Sequence, residues 1–316
     1  MGQGLGAVPE RLILRSRLWT LLALPGLAWL ALFFGVGFYA IVSVGLGNVN
    51  TLYEPLPHWN PLDWNVGYLW QAMQNVVPGG QTWDDFVRTV LYVTVAVALS
   101  LAIAYPVAWY AARHGGRWRG PLLVALVLPF WISYLMRMFA WTNLLDSTGY
   151  AARALDALSI DSLLRSLGLM DAGGWLGGQH ITVIMALVYG YVPYLILALF
   201  AALDRIDQRL IEAARDLGAS PAGAFWHVVL PLSRTGTLGG VVLIALPMFG
   251  DYYTPDLMSG SPRTSMLGNV INNDLQGGVN KPLGAALTLL LAVFLLGLLL
   301  YYLRTLRADQ REAIGA

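Results

Sequence analysis

The chain has 316 residues, 57% of them hydrophobic and only 12% charged, and its mean hydropathy is +0.60. Such a composition excludes an ordinary soluble surface and points to a membrane protein. Nineteen Lys and Arg against eighteen Asp and Glu leave a net charge near +1. The absence of cysteine excludes disulfides and thiolate metal sites, and the four scattered histidines lack metal-ligand spacing, so no metal is expected.

Spanning a hydrocarbon core of about 30 Å takes roughly 20 helical residues. Apolar windows of that length fall at 18–46, 89–112, 121–145, 181–203, 235–258 and 282–303, with Arg137 and Asp251 interrupting the third and fifth. The first window exceeds the apolar region of a cleaved signal peptide, about 7–15 residues, so it reads as a retained span. The expected organisation is an all-α membrane protein with a short N-terminus (1–17) and one six-span transmembrane domain (18–316). An even number of spans puts both termini on one side.

Charge says which side. Arg11, Arg15 and Arg17 precede the first span, and Arg113, Arg117 and Arg119 follow the second. Arg205, Arg209, Arg215 and Arg234 lie between the fourth and fifth, and Arg304, Arg307 and Arg311 follow the sixth. By the positive-inside rule these segments face the cytoplasm, so the basic residues are topological and no nucleic-acid partner is expected. The outer loops carry only Arg88, Arg153, Arg165, Arg263 and Lys281, among acids such as Glu54, Asp63, Asp84, Asp85, Asp161 and Asp171.

Loop 47–85 contains Trp59, Trp64, Trp70 and Trp83 and no Lys or Arg, the composition of a segment at the lipid interface. Loop 146–180 includes SIDSLLRSLGLM, which reads as a short amphipathic helix at the membrane surface. The cytoplasmic loop 204–234 is more particular. Leu210, Ile211, Ala214 and Leu217 recur at helical spacing, Gly218 ends that helix, and Ser220 with Pro221 caps the next. The second helix is expected over 222–230, with Pro231 turning the chain back into the membrane.

This hairpin reads EAARDLGASPAGAFWHVVLP over 212–231. Its pattern is Glu212-Ala213-Ala214, three residues, Gly218, nine residues, Val228, one residue, then Leu230-Pro231. It resembles the signature loop of bacterial ABC importer permeases. The resemblance extends over about 85–305, through LPFWISYLMRMFAW (128–141), VYGYVPYLILALFAAL (188–203), GDYYTPDLMSG (250–260), LGNVINNDL and PLGAALTLLLAV. Those stretches are similar to the spermidine/putrescine branch, although VNKP at 279–282 lacks the aromatic expected before the proline.

The resemblance implies a type I ABC importer permease fold whose cytoplasmic coupling helix docks on an ATPase. Glu212 and Arg215 would be its polar contacts, Gly218 its turn, and Ala213, Ala214 and Phe225 its packing, with Pro231 closing the motif. It implies a second homologous permease, a cytoplasmic ABC ATPase dimer, a periplasmic or extracellular solute-binding protein, and lipid as partners in a bacterial inner membrane. The chain itself would hold no cofactor, with ATP and Mg on the ATPase. Indeed its only lysine, Lys281, precedes a proline on the outer side, so it contains no phosphate-binding P-loop. It is not expected to be an enzyme: neither the Gly-x-Gly-Asp of intramembrane aspartyl proteases nor the Gly-x-Ser-Gly of rhomboid-like enzymes occurs at Asp251 or Ser259.

The implied solute is a small cation, a polyamine first, moved by alternating access; iron or another small metabolite is the alternative, and a channel or ion-driven carrier fits the spans but not the hairpin. Counting about 1.5 Å per residue from Pro121 and Thr235 puts Arg137 and Asp251 at one depth, roughly 24 Å from the inner surface. In one reading the two form a structural pair, because an intramembrane charge is costly alone. In the other, Asp251 faces the pathway and attracts an amine, helped by the aromatic faces of Trp131, Tyr134, Tyr189, Tyr252 and Tyr253, while Arg137 remains structural. Pro129, Pro193 and Pro247 free backbone groups at membrane depth, as plain kinks or around a cavity.

Overall fold

The computed structural model describes the backbone of residues 10–51, 54–158, 160–166, 168, 174–175, 178–277 and 280–315. Its helices are α1 (Glu10–Gly45), α2 (Gly67–Asn75), α3 (Trp83–Arg113), α4 (Arg119–Val127), α5 (Tyr134–Leu145), α6 (Tyr150–Leu158), α7 (Asp161–Ser166), α8 (His180–Asp204), α9 (Gln208–Asp216), α10 (Pro221–Ala224), α11 (Leu230–Phe249), α12 (Tyr253–Met258), α13 (Leu267–Gln276) and α14 (Lys281–Gly315). Among the described residues, five helical stretches are long and apolar enough to cross a membrane: Leu22–Gly45, Trp83–Arg113, His180–Asp204, Pro221–Phe249 and Lys281–Leu306. A bent pair, Gly116–Trp131 with Tyr134–Leu155, makes a sixth if counted as one span.

The chain forms two compact units, one of residues 1–72 and 274–290, the other of 73–273 and 291–316. In the first, α1 leads into a two-stranded antiparallel hairpin, β1 (Asn48–Val49) with β2 (Pro55–Leu56). The segment that follows it folds back on the helix end: His58 N–H donates to Ser43 O at 2.9 Å and Asn65 N–H to Leu46 O at 2.8 Å. Gly45 sits so close to α14 that a Cβ would lie 3.2 Å from the Ala285 carbonyl carbon. Small residues permit such backbone approach, which matters where lipid removes the hydrophobic drive for helix pairing.

In the second unit α3, α8 and α11 pack together around Tyr92, Ala96, Leu187, Leu195, Leu199, Ile244 and Met248. Glycine again sets the spacing. A Cβ on Gly236 would meet Ala202 Cβ at 2.3 Å, and one on Gly240 would meet Leu195 Cδ1 at 2.8 Å. The Tyr105 hydroxyl and Ser233 Oγ, 2.6 Å apart, join α3 to α11 by a hydrogen bond.

Two expectations about the spans are corrected. Window 121–145 is not straight: α4 tightens into a 3₁₀ turn at Leu128–Trp131, Ile132 and Ser133 are extended, and α5 leaves at 86°. Pro129 cannot donate to a continuing helix, and Ser133 Oγ accepts from Met136 N–H to cap a new one. The rise arithmetic for Arg137 therefore fails. Nor does 235–258 run through: α11 stops at Phe249, and Asp251 lies in the break before α12.

Candidate coupling surface and candidate solute cavity

The α9–α10 hairpin is capped where α9 starts, where α9 stops and where α10 starts. Asp207 starts α9 by accepting from Arg209 N–H at 3.0 Å. At its other end Gly218 adopts φ +93°, Ala219 N–H donates to Ala214 O at 3.0 Å and Gly218 N–H donates to Arg215 O at 2.9 Å. These two bonds form a Schellman motif, which only a residue tolerant of positive φ closes cheaply. Ser220 Oγ then accepts from Gly223 N–H at 3.0 Å, with Pro221 opening α10.

The hairpin is seated by one face. Ile211 is buried, and Ala214, Ala219 and Phe225 pack against the core of α3 and α8. The Phe225 ring meets Tyr105 edge to face at 5.4 Å and Trp109 at 6.2 Å. Beneath it, Arg113 Nη2 donates to the last carbonyls of α8, Leu203 O at 2.9 Å, and to Ile206 O at 2.7 Å. A cation there satisfies orphan carbonyls and complements the helix dipole. The other face is open: Glu212, Ala213, Arg215 and Gly218 are exposed.

Two details differ from expectation. Leu217, placed by its spacing on the apolar face, is 90% exposed, because it is the cap residue where helical geometry has ended. Pro231 does not turn the chain: α10, a π-helical turn at Phe225–Val229, and α11 form one helix from Pro221 to Phe249. A proline ring clashes with the carbonyl four residues back. The preceding π turn, in which Leu230 N–H donates to Phe225 O, widens the helix ahead of Pro231 and absorbs it.

The second site is a cavity of about 330 Å³ formed by α5, α8 and the α11–α12 break. Asp251, Tyr134, Tyr252 and Tyr253 line it together with Arg137, Gly190, Tyr191, Tyr194, Pro247 and Gly250. Asp251 Oδ1 accepts from Thr254 N–H at 3.0 Å and Oδ2 accepts from Thr254 Oγ1 at 2.6 Å. The Tyr134 and Tyr191 hydroxyls donate to Oδ2 at 3.4 and 3.5 Å, the outer limit for such bonds. Tyr134 also bonds the Thr254 hydroxyl.

Arg137 and Asp251 line one cavity but form no ion pair with each other. Of the two readings, the one in which they pair is thus not what the structure has. Arg137 instead faces rings, its guanidinium 4.2 Å from Phe130, 5.6 Å from Tyr134 and 6.0 Å from Tyr189. Trp131, expected in the aromatic set, is 82% exposed and does not line the cavity, because it ends the 3₁₀ turn before the bend. Tyr189 misses it as well, stacked edge to face on Trp141 at 5.2 Å. The residues missed were Tyr191 and Tyr194. Their three-residue spacing sets them on one side of α8, whereas about 100° per residue turns Tyr189 some 200° from Tyr191.

Five potential spans, or six with the bent pair, a capped helical hairpin and a polar cavity beside a broken helix fit a transport protein. The family described as "Binding-protein-dependent transport system inner membrane component" matches residues 79–308, and the chain belongs to this family of ABC transporter permeases. It is 33% identical to PotB of Haemophilus influenzae, a spermidine/putrescine transport system permease protein, over 69% of this chain and 73% of that one. It is 34% identical to the Escherichia coli inner membrane ABC transporter permease protein YdcU, over 71% and 72% of the two chains. Its fold matches a chain of a bacterial alginate ABC transporter, solved with an alginate-bound periplasmic protein, at a TM-score of 0.63, with 15% identity over 93% of this chain and 95% of that one.

Proposed function

We propose that the chain is one of two permease subunits in an ATP-driven importer, and that it forms part of the pathway for a small cationic solute, a polyamine first. Family membership and the spermidine/putrescine relatives support the solute class. The observation that carries the coupling role is the hairpin's two-sidedness: capped and seated on Ile211, Ala214 and Phe225, it leaves Glu212, Ala213 and Arg215 outward. A channel has no use for such a surface. A cytoplasmic ATPase dimer binds there, a solute-binding protein delivers from outside, and ATP binding and hydrolysis, with Mg, occur on the partner. Both termini face the cytoplasm. Alternating access requires that this energy bias two states rather than tighten one.

The pathway reading rests on Asp251 and the tyrosines that line the same cavity, an acid and aromatic groups that suit an ammonium group. It is tested by reconstituting the chain with its partner permease, ATPase and binding protein, and measuring ATP-dependent uptake of labelled putrescine and spermidine. Asp251→Asn is expected to reduce uptake by about tenfold or more while hydrolysis continues, the loss of one charge-assisted contact. Wild-type hydrolysis without uptake of either amine would leave the permease and remove the solute.

A further inference from the structure

Arg137 is an unexpected neighbour for a pure cation. It is only 7% exposed and lines the same cavity as Asp251, yet its Nε and Nη1 have no hydrogen-bond partner among the described residues. The rings of Phe130, Tyr134 and Tyr189 face its charge, which offsets part of the desolvation, but a ring face is no substitute for an oxygen acceptor. Buried donors without acceptors are costly, and those of a guanidinium most of all. Asp251 is in the opposite condition. Thr254 holds it with two short bonds, while the 3.4 and 3.5 Å contacts from Tyr134 and Tyr191 are weak enough for a better donor to replace.

The cavity therefore offers two unlike groups: a guanidinium, whose planar fork of N–H groups suits a carboxylate, and a carboxylate beside phenol hydroxyls, which suits an ammonium. A diamine matches the second group only, and its other ammonium enters a space already holding a positive charge. A volume of about 330 Å³ is at the small end of the range for metabolite sites, enough for a short chain carrying both groups. We propose that the cavity accepts an amine that also carries a carboxylate, a short ω-amino acid bound with its acid at Arg137 and its ammonium toward Asp251. This extends the solute range beyond polyamines, and it rests on the reading of this cavity as the pathway.

The test uses the assembled complex in lipid nanodiscs and two ligands of equal length, labelled 4-aminobutanoate and 1,4-diaminobutane. Equilibrium binding is measured for wild type, Arg137→Gln and Arg137→Lys. Wild type is expected to bind the aminocarboxylate; Arg137→Gln should weaken it by about tenfold or more and strengthen the diamine, and Arg137→Lys should recover part of the loss. Binding of the diamine alone by wild type overturns the proposal while leaving the amine pathway standing. So does aminocarboxylate binding that Arg137→Gln leaves unchanged, or an equal loss of both ligands that Arg137→Lys does not rescue. Binding of neither ligand, with no ATP-dependent uptake of any amine, overturns the pathway reading itself.

Discussion

At Gly190 a Cβ would stand 3.2 Å from Tyr134 Cε2, so the missing side chain gives space to the ring whose hydroxyl donates to Asp251. A valine there would push Tyr134 out of the cavity wall. Gly190→Val is expected to lower uptake severalfold and to destabilise the protein by about 1–3 kcal/mol, the usual effect of overpacking, with Gly190→Ala milder in both. Uptake assays and thermal unfolding of the purified complex measure the two effects, and unchanged values in both would show that Tyr134 is free to move. The sequence pointed to Asp251 and Tyr134 because an acid and aromatics in an apolar run are conspicuous. It could not separate Tyr191 from Tyr189, since the aromatic cluster was read by composition and the helix sorts its residues by angle. Nor could it show that Arg137 and Asp251 share a cavity without pairing, because that depends on a bend the apolar pattern does not record.

The α9–α10 hairpin was legible for a different reason: its caps are local. Asp207, Gly218, Ser220 and Pro221 act on neighbours within a few residues, so their spacing alone predicts where helices stop and start. The exceptions are Pro231, whose clash is absorbed by a π turn just upstream, and the 86° break at Ile132 and Ser133, where hydropathy continues across a change of direction. Hydropathy reports the medium and says nothing of the path through it. Gly218→Pro would demand φ near −65° where the chain holds +93°, and would remove the N–H that bonds Arg215 O. The change is expected to uncouple hydrolysis from transport while membrane insertion persists, and Glu212→Ala should do the same by removing an exposed carboxylate without refolding the hairpin. Paired measurements of hydrolysis and uptake decide it, and normal transport with normal ATPase docking in both variants would defeat the coupling role.

For the molecule as a whole, charge asymmetry across the loops predicts orientation independently of any contact. A fluorescent protein fused after residue 316 is expected to fluoresce, and a phosphatase inserted at Gly79 to be active, because the first matures in the cytoplasm and the second outside it. The reverse pattern would turn the hairpin away from any cytoplasmic ATPase. Orientation and hairpin meet in the helix that runs unbroken from Pro221 to Phe249. Its 29 residues, at a rise of about 1.5 Å each, make a rod roughly 43 Å long that begins in the hairpin and ends at Phe249, two residues before Asp251. Such a rod is a lever: a tilt of about 10° imposed at one tip sweeps the other through roughly 7 Å, computed from that same rise per residue. The stroke received at the hairpin and the displacement delivered beside Asp251 would then belong to one continuous helix, the π turn at Phe225–Val229 included.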